Sequence, residues 1–120
     1  MKFRILGGIG QTIRAVATAI HLPGDVVVYR GFVGVYAGVI NCAVGDLINV
    51  TIDAVGLAVT ATGVTFAAGA QVFWNIADQT CVAAGGVGIP LLGTAVVAKV
   101  SGPVVTEVLL NRLPTVVDAT

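Results

Sequence analysis

One histidine and two cysteines are all that this 120-residue chain offers for metal or nucleophilic chemistry, and charged residues make up only 10% of it. His21 stands beside Pro23, and Cys42 and Cys81 are separated by 38 intervening residues. That spacing lacks the paired ligands of a zinc site. A Ser-His-Asp arrangement would have to rest on His21 alone, which reads more simply as a turn histidine. The two cysteines could pair, although isolated cysteines in an apolar context are more often small buried hydrophobes. Six cationic and six anionic residues cancel to a formal net charge of +0. They form no basic footprint in the sequence, so no nucleic-acid partner is expected. Asp25, Asp46, Asp53 and Asp78 are spread over predicted turns, where Asp bonds its own backbone; no paired carboxylates for acid-base work are evident. No cofactor and no enzymatic activity are expected.

What is abundant is apolar: 57% of the residues are hydrophobic and the mean hydropathy is +1.01, well above ordinary soluble usage. Two charge-free runs, Ala54 to Ala77 and Gln79 to Ala98, reach the roughly 20 residues a spanning helix needs. Neither suits a helix. Gly56, Gly63 and Gly69 break the first, Gly85, Gly86, Gly88 and Pro90 the second. Valine outnumbers leucine throughout, and β-branched side chains favour pleated strands. The reading is therefore strands shielded by an assembly, with no membrane partner. A domain of this length leaves about a third of its unfolded surface exposed, and this chain has few polar groups for that share, so surface covered by other molecules is expected.

Turn signals recur every 8 to 12 residues or so: Pro23-Gly24, Gly31, Asn41 to Asp46, Asp53 to Gly56, Gly63, Ala68-Gly69, Asn75 to Asp78, Gly85 to Gly88 and Ser101 to Pro103. This rhythm suits an all-β fold, a small antiparallel β-barrel or β-sandwich. Strands are expected at Asp25 to Tyr29, Phe32 to Val39, Leu47 to Ile52, Gly56 to Thr60, Ala70 to Asn75, Gln79 to Ala83, Leu91 to Lys99 and Val104 to Asn111. In the third, Ile48, Val50 and Ile52 alternate with Asn49, Thr51 and Asp53, the period of a strand with one wet face. The almost wholly apolar Gly93 to Lys99 suits a central strand covered on both faces. The stretch from Gly69 to Thr80, carrying the single tryptophan, reads as one hairpin, with Phe73 and Trp74 in or near the core.

The first residues are read apart from this domain. Gln11, Thr12 and Arg14 interrupt the apolar region a secretory signal needs. Ile13, Val16, Ala17 and Ile20 could share one helical face, but Gly7, Gly8 and Gly10 favour an extended arm lying on a neighbour. The expected organisation is an N-terminal arm over 1–22, a β domain over 23–112 and a C-terminal tail over 113–120. Ile13, Val16 and Ile20 are the expected interface residues. Gly7 to Gly10 and Gly85 to Gly88 resemble fragments of phosphate loops but lack the flanking strand, helix and Lys-Ser/Thr. Asn49-Val-Thr51 matches a glycosylation acceptor only by its pattern.

Several phrases carry a resemblance. Gly31-Phe-Val-Gly-Val35, then Ala43-Val-Gly-Asp46 leading into Ile48 to Ile52 and Val55-Gly56, are followed by Phe66 to Asn75, Leu91-Leu-Gly-Thr-Ala95 and Glu107-Val-Leu-Leu-Asn111. In this order, over about three-quarters of the chain, they resemble the head-decoration, or capsid cement, proteins of tailed bacteriophages. The most specific phrase is the one ending Val72-Phe-Trp-Asn75. The first 22 residues and the low charge depart from the family's pattern. The resemblance implies a structural β domain on the outer surface of the virion capsid, with the major capsid protein as partner. It further implies self-association, as trimers first and dimers second. Another phage shell or tail component is the alternative, and a small membrane protein a weaker one.

Overall fold

A computed structural model describes residues 2–29 and 32–110, without the side chains of 8–10. The expected tail over 113–120 lies outside the described residues. Eight strands follow in order: β1 (Phe3–Val16), β2 (Val26–Tyr29), β3 (Phe32–Tyr36), β4 (Leu47–Val59), β5 (Gln71–Asn75), β6 (Thr80–Val82), β7 (Leu91–Ala95) and β8 (Val105–Leu110). No helix occurs among the described residues, and no helix is long and apolar enough to cross a membrane. The strands form one sheet in the order β2-β3-β4-β8-β7-β5-β6, with β1 paired to β4. Its strand pairs are antiparallel. The sheet is curled into a half-barrel, so the expected all-β class is observed.

The turns show how the sequence bends this sheet. Leu22 to Asp25 and Ala43 to Asp46 are the same device used twice. Gly24 and Gly45 have φ of 87° and 91°, the left-handed conformation required at the third position of a type II turn. The Asp25 amide donates to the Leu22 carbonyl at 3.0 Å and the Asp46 amide to the Ala43 carbonyl at 3.2 Å. Each Asp then accepts, through Oδ2, the amide that opens its own turn, from Leu22 at 2.9 Å and from Ala43 at 2.8 Å. These carboxylates fix turns.

β4 runs for 13 residues straight through the turn expected at Asp53 to Gly56. Its even positions, from Ile48 to Ala58, are all buried, so the period of two continues where the sequence suggested a break. Gly56 is there for space. A Cβ on it would lie 2.3 Å from Cε1 of Phe3 and 2.4 Å from the Arg4 carbonyl, and glycine in a strand marks such close approach.

The expectation of an appended arm is corrected by the same contact. Residues 3–16 are extended, but they pair with β4 from Phe3 opposite Ala58 to Val16 opposite Leu47. The glycine-rich part is taken up as register shifts between Ile5 and Gly7 and between Gly7 and Gln11, where extra residues bulge out of the ladder. Phe3 is buried in one core cluster with Val33, Val72, Trp74 and Leu92; Ala15 and Ala17 belong to a second with Ile48, Val50 and Tyr36. The Phe3 amide also donates to the Gly24 carbonyl at 2.9 Å, and the Gly24 amide to the Tyr36 carbonyl at 3.0 Å. The start of β1 is thereby tied to the lead-in of β2.

A second correction concerns Gly93 to Lys99. The strand ends at Ala95, and Val96 and Val97 are exposed. Lys99 pulls the chain out of the ladder: its own amide and carbonyl pair with those of Phe66, and its buried ammonium donates to the carbonyls of Thr62, Val64 and Val100.

Candidate interaction surface

Of the side chains singled out for chemistry, the structure brings His21, Asp25 and Cys42 to one place. His21 Nδ1 lies 3.9 Å from Asp25 Oδ2, and its amide donates to Cys42 Sγ at 3.4 Å. Asn75 and Asp78 hold each other across the β5–β6 turn, where the Asp78 amide donates to Asn75 Oδ1 at 3.1 Å. Asp53 lies within β4 and not in a turn. Cys42 and Cys81 are both buried and free, one in each core cluster. Burial alone pushes the Cys81 thiol up to about 12, because a thiolate there would lose its solvation. Among the described residues, no three His, Cys, Asp or Glu side chains gather as a metal site would require. Trp74 is in the core and Phe73 is half-buried. Two clefts, of about 280 and 300 Å³, share Tyr36, Ala37 and Gly38. Arg4 and Tyr36 are the titratable residues along the first, Tyr36 the one along the second.

The surface itself is more informative. Two loops, 17–25 and 37–46, are laced into one body at the end where β1 finishes and β4 begins. Ala17 donates to Asp46 at 2.9 Å, Gly45 to Ala17 at 2.8 Å and Cys42 to His21 at 3.0 Å, all through backbone groups. The Tyr36 hydroxyl donates to the Ile40 carbonyl at 2.9 Å. On this braced rim stand Val16, Ile20, Leu22, Val39, Ile40, Val44 and Leu47, all exposed, with Val39 at 91%, Ile40 at 72% and Leu47 at 66%. Val16 and Leu47 are directly opposite each other across β1 and β4, so the strands carry the apolar surface on from the loops.

No Lys or Arg occurs in either loop, and the carboxylates of Asp25 and Asp46 are occupied in the turns. At about 100 Å² for a fully exposed aliphatic side chain, the seven residues present on the order of 450 Å² of apolar surface. That lies within the roughly 300 to 600 Å² of the largest patch on an ordinary monomer, a patch that is often functional. It also matches the apolar share of a standard partner face of about 800 Å².

Of the three interface residues expected from sequence, Val16 and Ile20 are exposed on the rim, while Ile13 is half-buried and packs against the second core cluster. Sequence reasoning missed Val39, Ile40, Val44 and Leu47. One signal was present: at the start of β4, Leu47 is the apolar residue in the alternate positions that next carry Asn49, Thr51 and Asp53. Comparison of the chain with protein-family models, curated proteins and solved structures found no match in any of the three.

Proposed function

We propose that this chain is a structural decoration, or cement, protein. It binds the outer surface of an assembled phage head through its apolar rim, contacts major capsid proteins across their seams, and catalyses no reaction. The observation that carries the reading is the braced, charge-poor rim on an all-β scaffold. The ordered phrases from Gly31 to Asn111 that resemble the decoration family supply the identity of the partner. Ligand that binds the assembled state and not the separated subunits shifts the equilibrium toward assembly. Repetition over a lattice then supplies strength without high affinity at any one site.

Purified chain mixed with heads lacking it is expected to sediment with them, and not with isolated tails. Replacing Val39, Ile40 and Leu47 by Ser removes up to about 5 kcal/mol of interface burial at ~25 cal/mol/Å². Head affinity should then fall at least tenfold, with melting unchanged, because none of the three is in the core. Recovery with tails alone would move the chain to the other phage assembly; binding unaffected by the triple substitution would remove the rim from the account.

A further inference from the structure

The outer face of the sheet around β4 and β8 is a second, separate apolar surface, and its charges are arranged for a copy of itself. Arg4 lies opposite Leu57 across β1 and β4, and Leu57 lies opposite Glu107 across β4 and β8. Directly opposed residues share a face, so Arg4, Leu57 and Glu107 stand in one row with Arg4 and Glu107 about 10 Å apart at the backbone. Leu57 lies out of phase with the buried Gly56 and Ala58, which puts the row outside the core. Val55 and Val59 continue it along β4, both half-buried, beside the exposed Leu109 and Val105. Among the described residues, neither Arg4 nor Glu107 has an ion-pair partner within the chain.

We infer that this face is an isologous dimer contact, with its two-fold axis running along β4 through Leu57. Such an axis exchanges the two flanks of β4. It therefore lays Arg4 of each copy over Glu107 of the other, forms two ion pairs, and stacks the Val55, Leu57 and Val59 strip on its own image. An axis running across the strands would instead lay Arg4 on Arg4, so the charge row selects one orientation. Face-to-face sheets pack about 10 Å apart with strand directions within about 30°, and a two-fold along β4 satisfies both. This deepens the cement reading and rests on it for biological meaning: of the expected oligomers, the face selects the dimer.

Sedimentation of the full chain at tens of micromolar tests the arrangement. Wild type should be a dimer. Arg4→Glu and Glu107→Arg should each weaken dimerisation at least tenfold, since each places two like-charge pairs in the contact. Their equimolar mixture should recover association to within about threefold of wild type, because the heterodimer again matches opposite charges at both positions. The chain carrying both substitutions should dimerise as wild type does, and it serves as the readout if either single variant fails to fold. A monomeric wild type, single variants that dimerise normally, or a folded mixture or double variant that stays monomeric would overturn the contact. Head binding is measured on the same samples: monomers that still bind heads overturn the dimer alone, whereas a wild-type dimer that never binds heads overturns the cement reading alone.

Discussion

At the scale of single residues, the core contains one polar atom whose presence costs stability and one whose presence contributes it. Thr106 Oγ1 is buried with no hydrogen-bond partner, and an unpaired buried hydroxyl costs about 1–3 kcal/mol. Thr106→Val keeps the shape and removes the hydroxyl, so denaturant melting should show equal or higher stability; a clear loss would mean that the hydroxyl has a partner. Lys99 is the opposite case, a buried ammonium donating to three carbonyls. Lys99→Met should cost about 1–3 kcal/mol by freeing the 61–65 loop, which it ties to the start of the 99–104 segment. Cys81 gives a pH dependence. Its folded pKa, about 12, exceeds the ordinary 9.0, so the unfolded chain ionises first. Stability from this group is complete below pH 9 and is lost as pH rises from 9 toward 12. Cys81→Ala should flatten that alkaline slope, and the wild-type thiol should resist alkylation until the protein unfolds.

At the scale of elements, β1 decides whether the domain exists. Phe3 supplies one core cluster, and Ala15 and Ala17 supply the other. Phe3→Ala should cost about 3–5 kcal/mol, a large part of the 5–15 kcal/mol typical of a domain. Deleting residues 2–16 should abolish cooperative melting; a truncated chain that melts like the full one would return these residues to the role of an arm. Gly56→Ala forces a methyl against the Phe3 ring and the Arg4 carbonyl and should cost at least about 1–3 kcal/mol as overpacking. Elements whose cause is local were legible in the sequence. The β5–β6 hairpin with its Asn75 and Asp78 turn, the alternation of Ile48, Val50 and Ile52, and the Pro23-Gly24-Asp25 turn were all placed from a few neighbouring residues. What failed had distant causes. The glycines at 7, 8 and 10 read as slack because the partner that makes them bulges, β4, begins at Leu47. Gly56 read as a turn because the ring that needs its space belongs to Phe3. The end of β7 was hidden because Lys99 is buried by carbonyls contributed mainly from residues 62 and 64. The rim escaped for the same reason, since the pairing of Val16 with Leu47 joins segments 31 residues apart.

At the scale of the whole molecule, the described residues have a radius of gyration of 13.2 Å, close to the ~13 Å expected of a compact domain of about 100 residues. The exposed valines, leucines and isoleucines are therefore not a sign of incomplete collapse. Seven of them stand on the rim and Val105 and Leu109 on the outer face of the sheet, while others, Val87, Val97 and Val100 among them, stand elsewhere. A chain with so few charges gains little by presenting such surfaces to water; under the proposed cement role, shell subunits cover the rim and a second copy covers the outer face. The most direct measurement is a side-chain-resolution image of purified particles. It should place this β domain on the outer surface of the head, with loops 17–25 and 37–46 seated against shell subunits and Val39, Ile40 and Leu47 out of solvent. Heads that carry no density for the domain, or a domain seated with those loops facing the medium, would contradict the account.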